Sequence, residues 1–130
     1  MAQSDAEILR STYDALGKDD LDAVQAALAD NVVWHLPGDN LVDGDYSGPQ
    51  EVRDLFASMK ELTGGTLWIE LGEISEDGDT LTALTTVSGE RDGSQGEYVA
   101  RSTWSFADGR ISSCFEGYDD QAGVDAFWHG

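Results

Sequence analysis

The spacing of apolar residues changes once along this chain, from a helical period to a period of two, near Thr66. Before that point the pattern predicts three helices and one strand. "SDAE" at Ser4 to Glu7 fits a capping box, with serine at the N-cap and glutamate at N3. Ala6, Leu9, Tyr13 and Leu16 follow at helical spacing, and Gly17 ends the run. "DDLDAVQAAL" predicts a second, short helix capped by aspartate, with Leu21, Val24 and Leu28 on one face and Asn31 closing it. "VVWHL" then predicts a strand. Gly48 and Pro49 open a third helix, with proline at N1 and Glu51 at N3. Val52, Leu55, Phe56, Met59 and Leu62 form its apolar face, and Gly64-Gly65 stops it.

After Thr66 the alternation is that of strands. "TLWIELGEI", "TLTALTTVSGE", "EYVARSTWSF" and "RISSCFEGY" are four strands, separated by turns at "SEDGD", Asp92-Gly93 and "ADG". Turns this short make an antiparallel meander. The tail "DDQAGVDAFWHG" is an amphipathic turn or short helix whose Phe127 and Trp128 pack back. The order α-α-β-α-β-β-β-β puts helices first and strands later, which indicates α+β and not alternating βαβ units. A curved, mainly antiparallel sheet of this size wraps around its helices as a cone-shaped α+β barrel and leaves a cavity on its concave face. The stretch "WHLPGDNLVDGDYSG", Trp34 to Gly48, crowds an indole, an imidazole, an amide and a phenol into one connection. It is expected to be both wall and lid of that cavity, with Asn40 to Tyr46 as the lid.

Composition narrows the class. The 130 residues fit one domain, residues 1–130, and 40% of them are hydrophobic, as in globular chains. No apolar run of membrane-spanning length and no leader pattern is evident, so a soluble, cytoplasmic protein is expected. Asp and Glu total 26 against 7 Lys plus Arg, for a formal charge of −19. Such a surface repels phosphate backbones, which argues against nucleic acid as a partner. Seventeen of the acids are aspartate and only two residues are lysine. That combination suits either a halophilic source or an acidic protein from a GC-rich genome. Cys114 is the sole cysteine and cannot form an internal disulfide. His35 and His129 lie far apart and make no metal signature with it, and no nucleotide motif is present. No cofactor is expected.

Three segments carry a family resemblance: "YDALGKDDLDAV", "WHLPGDNLVDGDYSGPQEV" and "FADGRISSCFEGYDDQAGVDAFW". Together they resemble the SnoaL-like branch of the nuclear transport factor two-like superfamily. That superfamily includes isomerases, polyketide cyclases, epoxide hydrolases and non-catalytic binding or dimerisation domains, so the resemblance implies fold more strongly than function. Its ketosteroid isomerases need an aspartate base, a helix tyrosine and a protonated acid. Alignment places Leu36, Thr12 (with Tyr13 one step off) and Ser102 at those positions, so the triad is absent. Epoxide hydrolysis of the superfamily's kind needs an Asp-Arg-Asp group. Arg101 is the one strand arginine suitably placed, and no aspartate pair accompanies it.

The same alignment implies strand parity. Ser112, Cys114, Glu116 and Tyr118 face the cavity on the last strand, with Ile111, Ser113 and Phe115 outside. Tyr98, Ala100, Ser102, Trp104 and Phe106 face it on the strand before, Trp34 and Leu36 on the first strand, and Phe56 and Met59 on the third helix. A mostly aromatic lining suits a small, flat, largely apolar ligand. Glu116 in that setting has its pKa raised and is the candidate general acid or base; with the opposite parity it is a solvent-facing carboxylate or half of an ion pair. His35 is the second catalytic candidate, against an outer-face position favoured by its alternation with Trp34. Asn40 and Tyr46 are candidate ligand contacts, or a turn residue and a packing ring. Trp34, Phe56, Tyr98, Ser102, Trp104 and Tyr118 complete the expected substrate-binding set. Tyr13 reads as core, and Cys114 lacks the basic neighbour a nucleophile needs.

Two classes of function remain. One is a cofactor-free enzyme, of isomerase, cyclase or hydrolase type, acting by acid–base chemistry on an apolar molecule. The other is a protein of the same fold that binds a small molecule or dimerises without catalysis. A homodimer through the outer sheet face is expected by analogy with the family, with Leu67, Ile69, Ile111 and Phe115 as its apolar area.

Overall fold

The computed structural model describes residues 4–129. Its first helix, α1 (Asp5–Gly17), starts on the expected capping box. The Ser4 hydroxyl accepts from the Glu7 N–H at 3.2 Å, and the Glu7 carboxylate accepts from the Ser4 N–H at 3.4 Å. Ile8, Leu9, Thr12, Tyr13 and Leu16 form the buried face of this helix. α2 (Leu21–Ala26) is capped by Asp20, whose carboxylate accepts from the Ala23 N–H at 3.2 Å. It is shorter than the sequence suggests. β1 (Leu28–Leu36) begins where helix was expected, because Leu28 pairs in the sheet with Ile111 and the Ile111 N–H donates to the Ala27 carbonyl at 2.9 Å. Leu28 is buried in either role, so its hydrophobicity did not discriminate between them.

The connection after β1 holds an element that composition concealed. β2 (Gly44–Ser47) pairs antiparallel with β1, setting Trp34 opposite Tyr46 and His35 opposite Asp45. The expected lid is therefore a tight loop followed by an edge strand. α3 (Pro49–Leu62) starts at proline as expected and buries Val52, Leu55, Phe56 and Met59. β3 (Trp68–Asp77), β4 (Thr80–Arg91), β5 (Ser94–Ala107) and β6 (Arg110–Gly117) form the meander, and α4 (Gln121–Phe127) follows. The β4–β5 and β5–β6 turns each have two residues. Asp92 and Gly93 take φ of 55° and 80°, Asp108 and Gly109 take 52° and 76°, the conformation that matches the twist of the flanking strands.

The six strands form one curved sheet in the order β2-β1-β6-β5-β4-β3. All neighbours are antiparallel except β1 and β6, which are parallel. The expected α+β cone is thus what the chain adopts, with four helices where three and a tail were anticipated. Leu81, Ala83, Thr85 and Val87 of β4 and Tyr98, Ala100, Ser102 and Trp104 of β5 alternate inward as a period of two requires. No helix among the described residues is long and apolar enough to cross a membrane.

One parity expectation fails. Ser113 pairs with Ser105 and Ile111 with Phe106, so Ser112 is an extra residue in a β-bulge. The bulge reverses side-chain alternation, and Ile111 lies fully buried instead of outside. Ile69 also leaves the proposed outer patch: it lines a groove beside α1, and Leu67 packs against the core. Phe115 stays outside, where Leu84 and Val99 share its face of the sheet and are half exposed.

Asp and Glu outnumber Lys and Arg by 26 to 7, and an ion pair such as Lys18–Asp14 is largely exposed on both sides. Self-repulsion is therefore the main electrostatic term, and salt screens it. The melting temperature is expected to rise between ~10 mM and ~1 M salt, as the Debye length contracts from ~30 Å to ~3 Å. A flat or falling melting curve over that range counts against the salt-adapted reading of the composition.

Candidate functional site

The parity of β5 and β6 before the bulge decides what meets on the concave face. Ser102 is paired with Glu116 and Trp104 with Cys114, so four side chains of two strands point the same way. Trp34 joins them from β1, where it pairs with Cys114. Phe56 comes from α3 and packs edge-on against Trp34, with ring centroids 5.6 Å apart. Tyr13 reaches across from α1 and stands edge-on to Trp104 at 5.9 Å. Tyr98 and Tyr118 meet edge to face at 5.7 Å. Edge-to-face packing of this kind favours fixed ring positions.

Glu116 is the one carboxyl in this aromatic group. Burial disfavours its anion and raises its pKa to about 7, while hydrogen bonding from Tyr118 and Trp34 pulls the other way. The Tyr118 hydroxyl donates to Glu116 Oε1 at 2.9 Å. Glu116 as a whole is half-buried, and desolvation of its carboxyl is the largest cause of the shift. Tyr98 and Tyr118 have their pKa values pushed up, chiefly by burial and then by the charge of Glu116. Burial, Cys114 and Glu116 do the same to Tyr13, with the Trp104 indole opposing. The three phenols are hydrogen-bond donors at neutral pH, and Glu116 alone titrates there. Cys114 is fully buried and its thiol is pushed up, the opposite of what a nucleophile needs.

Two buried donors beside Glu116 have no hydrogen-bond partner: Ser102 Oγ and Trp104 Nε1. The Trp104 N–H acts on the Tyr13 hydroxyl from close by without closing a hydrogen bond. Orphaned buried groups are rare in native proteins, and each costs about 1–3 kcal/mol. Here they lie two residues apart on β5, Ser102 opposite Glu116 and Trp104 opposite Cys114.

The remaining expected site residues are elsewhere. His35 lies on the outer face, where Nδ1 is paired with Asp45 and the ring lies 5.7 Å from that of Phe115. Asn40 organises its own loop: Nδ2 donates to Asp125 at 2.8 Å and Oδ1 accepts from the Val42 N–H at 2.9 Å. These bonds, with one from the Asp39 N–H, hold the Asp125 carboxyl below its ordinary pKa. The Tyr46 hydroxyl donates to the Val42 carbonyl at 2.8 Å, tying the edge strand to the loop. Asn40 and Tyr46 therefore spend their polar atoms on the loop instead of offering them to a ligand.

Sequence reasoning underrated two residues. Tyr13 was read as core, and its helical spacing supports that, but its ring also walls the Glu116 group. Its outer side lines a groove of about 480 Å³ between α1 and β3, with Arg10, Trp68, Ile69 and Leu71. Trp128 was expected to pack back, and it is fully buried; its indole N–H donates to the Tyr98 hydroxyl at 2.9 Å. Among the described residues no group of three or more His, Cys, Asp or Glu is arranged to hold a metal ion.

The arrangement has counterparts. Bal32a, from a soil-derived mobile gene cassette, is 26% identical, with a TM-score of 0.90 and 95% of each chain covered. An NTF2-like protein from Burkholderia pseudomallei is 23% identical, with a TM-score of 0.78 over 96% of this chain and 97% of that one. TerC, co-crystallised with polyporic acid, is 18% identical, with a TM-score of 0.78 over 90% of this chain and 92% of that one. The latter two likenesses concern the fold alone. Residues 9–114 match the SnoaL-like domain, and this chain belongs to that family.

Proposed function

We propose that this protein is a cofactor-free acid–base enzyme acting on a small, flat, largely apolar molecule, with Glu116 as the group that moves the proton. The observation that carries this reading is the placement of Glu116. It is a lone carboxyl among Trp34, Tyr98, Trp104 and Tyr118, titrating near 7 and held by a Tyr118 donor. A group poised near the working pH is suited both to remove and to return a proton. Ser102, opposite Glu116, has a buried hydroxyl without a partner in the fold, which supports it as the donor to a substrate oxygen as charge develops there. The SnoaL-like family and the co-crystallisation of TerC with polyporic acid are compatible with a ligand of this type. His35, on the outer face, takes no part in the proposed chemistry.

A second reading has its own support. Trp34, Trp104 and Trp128 are all fully buried, so the concave face is largely occupied by the protein's own rings. A dimerisation or binding protein needs no more. Leu84, Val99 and Phe115 are exposed together on the outer sheet face and would form the contact between two copies. Native mass spectrometry at micromolar concentration is expected to give a dimer. A monodisperse monomer removes that part of the proposal.

Catalysis is tested with flat cyclic ketones, lactones and epoxides, without added cofactor. Wild type is expected to turn over one of these classes, and Glu116→Gln to lose ~10²–10⁴-fold in rate while still binding ligand. Full activity in that variant, or no turnover of any class by the wild type, sinks the enzymatic reading.

The electrostatic premise has a separate check in stability. The folded pKa of Glu116, about 7, lies above the ordinary value of 4.5, so the folded state holds the proton more tightly. Its contribution therefore falls as pH rises from about 4.5 to about 7 and levels off above that. Relative to wild type, Glu116→Gln should gain about 3 kcal/mol between pH 4 and pH 8. Denaturant unfolding at the two pH values measures this. An unchanged difference would show that Glu116 is not buried as a charge.

A further inference from the structure

The C-terminal segment closes one end of the concave face in an unusual way. Trp128, just past α4, is fully buried in the core and packs edge-on against Phe127, with ring centroids 4.7 Å apart, yet it also makes three polar contacts. Its N–H donates to the Tyr98 hydroxyl, and its carbonyl accepts from the Leu41 N–H at 3.0 Å. The Arg91 guanidinium lies 5.9 Å from the indole centroid, within cation–π range. Arg91 Nη1 donates to the carbonyls of Phe127 and His129, at 2.6 and 3.0 Å, and Arg91 Nε is buried without a partner. The Phe127 ring lies so close to Gly96 that a Cβ there would stand 2.6 Å from two ring carbons. The helix itself is seven residues long and is tied to the loop after β1 by Asp125, which accepts from Asn40 and the Asp39 N–H, and by Gln121, which donates to the Pro37 carbonyl at 3.3 Å. Everything from Phe115 onward also lies outside the matched family region, residues 9–114.

We propose that the Trp128 indole occupies the ligand's own subsite, and that the ligand is a planar aromatic ring carrying an O–H or N–H donor. The ring replaces the indole against Tyr98 and Arg91 as α4 lifts. The proposal rests on the concave face being the working site and adds the substrate class to that reading. The physical argument is one of exchange. Removing a buried indole alone forfeits its apolar contacts and leaves the Tyr98 oxygen without its donor. A ring of similar size with a donor restores both, so an aromatic alcohol or amine offsets more of the cost of lifting α4 than an aliphatic one does. The Tyr98 ring adjoins Tyr118, and the Tyr118 hydroxyl is bonded to Glu116. A ligand in the indole's place therefore lies next to the proton-transfer group.

The probe is 2-naphthol, with 2-methoxynaphthalene as the partner lacking a donor. Isothermal titration of the wild-type chain is expected to show saturable binding of 2-naphthol in preference to the ether. Hydrogen exchange of the α4 amides should become faster when 2-naphthol binds, the reverse of the protection a simple surface ligand gives. Trp128→Ala empties the subsite, and Gly96→Ala pushes away Phe127, which packs on Trp128 and Tyr98, and so loosens α4 with the indole still present. Each should bind 2-naphthol about tenfold or more tighter than wild type, because less of the protein is held in the closed form. Tyr98→Phe should erase the preference for the naphthol over its ether.

No saturable binding to wild type, unchanged or slower exchange in α4, or equal binding of the two probes overturns the proposal. Failure of both Trp128→Ala and Gly96→Ala to fold overturns it too, since the indole would then be ordinary core. Lid opening with full turnover in Glu116→Gln would leave this inference standing and remove the catalytic one. The converse pair of results would do the opposite.

Discussion

A carboxyl group held among aromatic rings is the constraint around which the rest of this protein is arranged. Burial disfavours the Glu116 anion, and only the Tyr118 and Trp34 donors offset the cost. The balance leaves the proton loosely held at neutral pH, which a salt-bridged carboxylate would not do. No cation neutralises it. Arg101, nearest along β5, points outward and pairs weakly with Asp119 at 3.7 Å. Had Arg101 faced inward, Glu116 would be a permanent anion and the three nearby phenols would have a different role. Strand parity alone makes the difference, since Ser102 takes the inward position opposite Glu116.

Much of this was legible in the sequence, for reasons that are specific to each element. α1 and α3 were placed closely because a capping box and an N1 proline are local signals that tertiary context does not overrule. The three hairpins were legible because Gly-containing turns separate runs of period two. The start of β1 was not, because Leu28 is buried as well by a sheet as by a helix, and its pairing with Ile111 spans the whole fold. β2 was missed because an edge strand of Gly, Asp, Tyr and Ser has neither alternation nor β-branched residues. The Ser112 bulge was missed because one extra residue in a strand leaves no compositional mark.

The site was legible to the same depth. Residues whose placement follows from parity alone, Trp34, Tyr98, Ser102, Trp104 and Glu116, came together as expected. Residues in the Trp34 to Gly48 connection did not, because chemical variety in a loop does not reveal which atoms the loop uses on itself. Asn40 and Tyr46 are two such cases: their polar atoms close the turn and fasten it to α4 and β2. What the crowded stretch supplies is one ring, Trp34, and a rigid mount for the C-terminal segment.

That mount changes how the cone should be viewed. The Asn40 loop and α4 share Asp125, and Leu41 bonds to the Trp128 carbonyl, so the two segments close the concave face together. Each combines hydrogen bonds at the rim with apolar side chains in the core, Val42 from the loop and Val124 and Trp128 from the C-terminal segment. Core residues such as Leu9, Val32 and Val52 have no polar alternative to their packing. Trp128 does, through Tyr98 and the Arg91 guanidinium, the two contacts that the proposed ligand would take over. The matched residues 9–114 bring Trp34, Tyr98, Ser102 and Trp104 to the concave face, and the segment that follows brings Glu116, Tyr118 and Trp128.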